Sequence, residues 1–211
     1  MKKLYLLVFI SFFCGNIFAQ NFTDPNFSLT TISDGWNQAL GAAFSKDAQK
    51  LFVWEKAGLV YVCNKSGNTY TRQTTPVINL SAEVLNWMDH GLLGFALDPD
   101  YLTNGYIYLL YVVDRRVLMN DNSIVADAGF AATIGRVTRY KTILSGSNLV
   151  VDPSSRIILL GETKSTGIPL IHESHGLGTL AFAADGTLLI TAGDAANFNG
   201  EDNGSDNDTY Y

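Results

Sequence analysis

The chain has 211 residues, 47% hydrophobic and 16% charged, with a formal net charge of −6. That much apolar material argues against a disordered chain. The acidic balance, with no basic run longer than Lys2-Lys3 or Arg115-Arg116, argues against nucleic acid and anionic membrane surfaces as partners.

Residues 1–19 read as a secretory signal. Lys2 and Lys3 give a positive start, Leu4 to Phe13 is apolar apart from one serine, and Ala19 followed by Gln20-Asn21 marks a cleavage point. The apolar run is about ten residues, too short to cross a bilayer. The minor alternatives are an uncleaved anchor and a lipoprotein built on Cys14, where Phe13 is too bulky for the usual small residue. Residues 20–211 would then be the mature chain, exported to the periplasm or outside the cell. It carries 12 basic against 20 acidic residues, a balance of −8. Cys63 stays without a second cysteine, so it can form neither an internal disulfide nor a cysteine metal cage; its strand-like setting predicts a buried, inert thiol.

Beyond the signal, helical periodicity is nearly absent. Residues 51–54 and 59–62 are short apolar runs separated by Lys56-Ala57-Gly58. Residues 106–113 and 188–191 are equally rich in β-branched and aromatic side chains, which suit pleated, packed strands. Glycine, Asn, Asp and Ser fill the gaps as turns require. Residues 120–129 read as an inserted loop.

A repeat underlies these runs. Leu40-Gly41-Ala42-Ala43-Phe44 leads to Asp47 and then Leu51-Phe52-Val53. Leu93-Gly94-Phe95-Ala96-Leu97 leads to Asp98 and then Tyr106-Ile107-Tyr108. Gly178-Thr179-Leu180-Ala181-Phe182 leads to Asp185 and then Leu188-Leu189-Ile190. Each unit is a glycine, an alternating strand, an Asp-bearing turn and a second strand. Such a hairpin cannot bury its own apolar face, but several around one axis can, which predicts an all-β propeller. Phe44, Leu97 and Phe182 are 53 and then 85 residues apart. A blade takes roughly 40–50 residues, so the second interval holds either one blade with a long insertion or nearly two. About three blades are started, the last incomplete, and the chain reads as the front of a longer protein.

Asp89-His90-Gly91-Leu92-Leu93-Gly94, its strand, and Pro99-Asp100-Tyr101 resemble the glucose/sorbosone dehydrogenase family. So do His175-Gly176-Leu177-Gly178 and the later Gly193-Asp194, with Gly135 to Tyr140 matching the strand between. The resemblance covers about residues 36–200. It implies a propeller of four-stranded blades, six in the family. It also implies oxidation of an aldose or related sugar by hydride transfer to pyrroloquinoline quinone, with calcium polarising that cofactor and an external acceptor taking the electrons. The position matching the family's proton-accepting histidine is His175. A sugar hydroxyl is a very weak acid, so hydride loss needs a base in the transition state; imidazole, with a pKa near ~6.5, suits neutral pH.

The resemblance places three further residues toward the sugar. Asp89 stands where relatives carry Gln or Glu, Ser174 where some carry an acid that pairs with the histidine, and Asn199 near another amide position. The alternative for each is an ordinary turn residue, which fits Ser174 and Asn199 at least as well. The family's calcium ligands and quinone-gripping cations come mostly from later blades, so no cofactor-binding residue is identified in this chain. His172 and His175 with His90 are too dispersed for zinc, and residues 201–208 lack the spacing of an EF-hand loop. The alternative to an enzyme is a non-catalytic propeller that binds glycans or a protein partner, because propellers host unrelated functions.

Overall fold

The structure is a computed structural model that describes residues 24–125 and 132–196. Residues 1–19, read as a secretory signal, Asn199 and the acidic stretch 201–208 lie outside the described residues, as does part of the loop 120–129. The chain divides into two compact units, 1–31 and 32–211. In the first, residues 24–31 are described: an Asp24 carboxylate accepts from the Asn26 backbone at 2.9 Å and shapes a turn.

The second unit is built from antiparallel sheet. The first blade comprises β1 (Ala39–Phe44), β2 (Lys50–Glu55), β3 (Leu59–Ser66) and β4 (Thr69–Arg72), joined in that order, with β5 (Ile78–Asn79) pairing β3. The second comprises β6 (Leu92–Leu97), β7 (Tyr106–Val112), β8 (Thr133–Ser145) and β9 (Asn148–Leu160), again a meander. Then β10 (Ile168–Leu170) returns to pair with the start of β8. The third contributes a hairpin of β11 (Leu177–Phe182) and β12 (Leu188–Ala192). Two short α-helices, α1 (Tyr101–Asn104) and α2 (Arg115–Met119), lie in the connections, and Tyr101 of α1 and Leu118 of α2 pack on the core. The fold is thus a β-propeller, with two blades and a third hairpin among the described residues.

The three sequence repeats are the hairpins β1–β2, β6–β7 and β11–β12. The 85-residue interval holds one blade, lengthened because β8 and β9 each run for 13 residues and β10 is added. Each repeat glycine has one physical cause: the neighbouring strand passes too close for a side chain. A Cβ at Gly41 would lie 2.1 Å from the Trp54 ring, and one at Gly178 would lie 2.2 Å from the Thr191 hydroxyl. Each repeat aspartate closes its turn. Asp47 accepts from Gln49 at 3.1 Å, Asp98 from Asp100 at 3.0 Å, and Asp185 from Thr187 at 2.9 Å.

Blades pack through aromatic side chains that alternate inward. Phe95 of β6 stacks on Phe52 and Trp54 of β2, with centroids 5.5 and 5.4 Å apart. Tyr108 of β7 meets Phe182 of β11 edge-on at 5.0 Å. Cys63 is fully buried on β3, and burial pushes its thiol pKa up, away from the reactive thiolate.

A buried ionic node was not visible in the sequence. Glu83 Oε1 accepts from Tyr111 Oη at 2.6 Å, from Arg136 at 2.5 Å and from Arg156 at 2.6 Å. It ties the segment before β6 to three strands of the second blade. Burial alone would raise the Glu83 carboxyl; the Tyr111 hydroxyl and the two guanidiniums outweigh it and hold its pKa below the ordinary range.

Candidate functional site

The three inner strands β1, β6 and β11 begin at the same end of the unit, and each begins irregularly. The register of β1 slips between Ala39 and Gly41, that of β6 between Leu92 and Gly94, and that of β11 between Leu177 and Leu180. Such bulges bend a strand and re-aim its side chains. Just upstream of these starts, three non-glycine residues take left-handed backbone: Gln38 (φ 54°), Met88 (φ 44°) and His175 (φ 53°). This conformation costs of order 1 kcal/mol or more and persists only where surroundings impose it. A cleft of about 520 Å³ opens among these strand heads, lined by Gln38, Leu40, Lys56, Asp89, Leu93 and Leu177 among others.

His175 sits on the loop before β11 with its side chain 51% exposed. The loop is closed by backbone bonds: Gly193 N–H donates to the Gly176 carbonyl at 2.6 Å, and Ala195 N–H to the His175 carbonyl at 2.8 Å. Gly193 permits this, since a Cβ there would lie 2.1 Å from the His175 oxygen. The closure brings Asp194 Oδ1 to 3.4 Å from His175 Nδ1. Asp194 is fixed in turn by the Ala196 N–H at 3.0 Å. That bond, with the nearby imidazole, holds the carboxyl below its ordinary pKa. Asp194 faces Nδ1, so Nε2 is the nitrogen left for a ligand.

Ser174 occupies a different environment. It is 4% exposed, and its hydroxyl lies 2.9 Å from His172 Nδ1 and donates to the Ala196 carbonyl at 3.0 Å. A carboxylate does stand beside the histidine, but it comes from position 194 rather than 174. The sequence signal for it was the Gly193-Asp194 pair at the end of β12. Asp89 is exposed on the cleft, and its N–H donates to the Glu173 carbonyl at 3.3 Å, which joins the two loops.

The other histidines face elsewhere. His90 is buried with Nε2 3.1 Å from the His172 carbonyl, and burial lowers its pKa below the ordinary imidazole value. Among the described residues, no three His, Cys, Asp or Glu side chains are grouped so as to hold a metal ion. No helix among them is long and apolar enough to cross a membrane.

The human Hedgehog-interacting protein is 27% identical over 170 residues, 80% of this chain and 22% of that protein. The mouse protein of the same name is 26% identical over 165 residues, 77% of this chain and 21% of that one. Among solved structures, the PQQ-bound aldose sugar dehydrogenase of Streptomyces coelicolor matches with a TM-score of 0.55 and 22% identity. That match covers 81% of this chain and 42% of that one. The apo soluble aldose sugar dehydrogenase of Escherichia coli matches at 0.52 and 20%, covering 79% and 40%. The chain thus spans about a fifth of its curated relatives and two fifths of these solved ones. The family model described as glucose/sorbosone dehydrogenase matches residues 36–210. With nearly the whole second unit matched, the chain belongs to the glucose/sorbosone dehydrogenase family.

Proposed function

We propose that the protein is an exported sugar dehydrogenase in which His175 is the general base. The observation that carries this reading is the imidazole of His175: half exposed, on a strained loop, with one nitrogen facing Asp194 and the other open. Strain concentrated at a ligand-facing residue is typical of preorganised sites. The aldose would lie against the cleft, whose lining does not include His175, with the hydroxyl of its oxidised carbon reaching beyond it toward Nε2. As the carbon–hydrogen bond breaks and the hydride leaves with its electron pair, Nε2 accepts the hydroxyl proton and a carbonyl forms. Asp194, 3.4 Å from Nδ1, orients the ring with Nε2 away from it. Asp89 and, from its position in the sequence, Asn199 are the sugar-facing polar groups. Ser174 braces the loop from behind through Ala196.

The family implies pyrroloquinoline quinone as the hydride acceptor, with calcium. No set of residues that would grip either is identified among the described residues. Arg136 and Arg156 are both engaged by Glu83, and no carboxylate group is assembled for a cation. Only the proton's path is therefore derived from these residues.

The test uses the whole protein with quinone and calcium added. His175→Ala should lower kcat for an aldose, read by dye reduction, by roughly 10²- to 10⁴-fold while leaving quinone binding intact. Normal turnover by that variant overturns the role of His175. A second reading, a non-catalytic propeller that binds glycans or a protein partner, is favoured by the 27% identity to Hedgehog-interacting protein. It predicts that titrating the whole protein with quinone and calcium gives no spectral change.

A further inference from the structure

We infer that the cleft at the heads of the inner strands takes a carbohydrate bearing a carboxylate, and that the Lys56 ammonium receives that group. The inference rests on the sugar-binding part of the reading above and not on turnover.

Lys56 lies in the tight turn between β2 and β3, and its backbone is fixed from both sides. Its N–H donates to the Gln38 carbonyl at 3.0 Å, and its carbonyl accepts from Leu92 N–H at 2.8 Å. Gly91 lets it pass, since a Cβ there would fall 2.6 Å from Lys56 Cγ and 2.7 Å from its carbonyl oxygen. A long, mobile side chain is thus launched from a rigid point where the first and second blades meet.

The side chain lines the cleft, yet among the described residues no carboxylate lies within ion-pair distance of its ammonium. Asp89 lines the same cleft without pairing with it. The cation still acts inward, where it opposes protonation of His90. An ammonium held at a concave site and left unmatched favours an anion of the ligand. The rest of the lining suits a sugar. Leu40, Leu93 and Leu177 offer apolar surface to the C–H faces of a ring, while the Gln38 amide and Asp89 carboxylate can meet hydroxyls. Asp89 would repel a ligand carboxylate, which orients the acid group of the sugar toward Lys56 and its hydroxyls toward Asp89.

The experiment is calorimetric titration of the whole protein with glucuronate and with glucose, at low salt and neutral pH, for wild type, Lys56→Gln and Lys56→Arg. Wild type should bind glucuronate roughly tenfold more tightly than glucose, the worth of one good charged contact. Lys56→Gln should erase that preference while glucose affinity holds, and Lys56→Arg should keep most of it. Equal affinity for the two sugars in wild type, or equal loss of both in Lys56→Gln, overturns the inference. So does a Lys56→Gln variant that loses quinone affinity instead. Lys56-dependent glucuronate binding without turnover of any sugar would uphold this site and sink the dehydrogenase reading alone.

Discussion

At the scale of single residues, the loop that carries His175 is held by its backbone more than by its side chains. Gly193 is the position that decides it. In Gly193→Ala the new Cβ would meet the His175 carbonyl oxygen at 2.1 Å, a contact that forces the backbone to move. A shift of about 1 Å in a catalytic group costs on the order of 10²-fold in rate. On the dehydrogenase reading, kcat of the whole protein should therefore fall by about that factor, with the unfolding midpoint lowered far less than a core truncation would lower it. Steady-state kinetics beside a denaturant titration measures both. The loop setting of His175 was legible from its glycine-rich surroundings, while its reading as a base rests on the family resemblance. The sequence did not expose the pairing with Asp194, because that depends on two loops 19 residues apart closing against each other through Gly176 and Gly193. Nor could it show that the hydroxyl of Ser174 faces inward, since alternation is undefined in a loop.

At the scale of elements, the hairpins were legible from period-two alternation, a glycine near the start of each inner strand and an aspartate in each turn. These are local signals, and the structure realises them locally. The node around Glu83 was not legible because its four side chains come from four separate segments, each of which looks like an ordinary polar position. Its energetics are testable. Glu83 has a folded-state pKa below the ordinary carboxyl value of 4.5, so the unfolded chain binds the proton more readily. The stabilisation is present above pH about 4.5 and is lost as pH falls through the lower folded-state value. Removing one partner of such a buried cluster typically costs about 3–5 kcal/mol. Glu83→Gln should therefore be destabilised by that order at pH 7, and its stability should fall less steeply than that of wild type below pH 4.5. Urea titrations of both proteins across pH 3–7 would show it; parallel pH curves would mean that Glu83 titrates as an exposed carboxylate does.

At the scale of the molecule, the uneven spacing of the repeats could not by itself separate one enlarged blade from two. Strand length resolves it, since β8 and β9 carry 13 residues each where a typical strand has about 5–6. The bulged inner-strand heads then explain why a cleft forms at one end, with His175 at the loop that opens the third hairpin. The dehydrogenase reading requires that a sugar's hydride and proton leave together at that end. The most direct measurement is anaerobic rapid mixing of the whole protein, loaded with pyrroloquinoline quinone and calcium, with glucose and with glucose deuterated at C1. The account predicts that the quinone absorbance bleaches in both cases, more slowly with deuterium, and not at all on this timescale in His175→Ala. Bound quinone that stays oxidised with every aldose tried, or bleaches equally fast without His175, would contradict it.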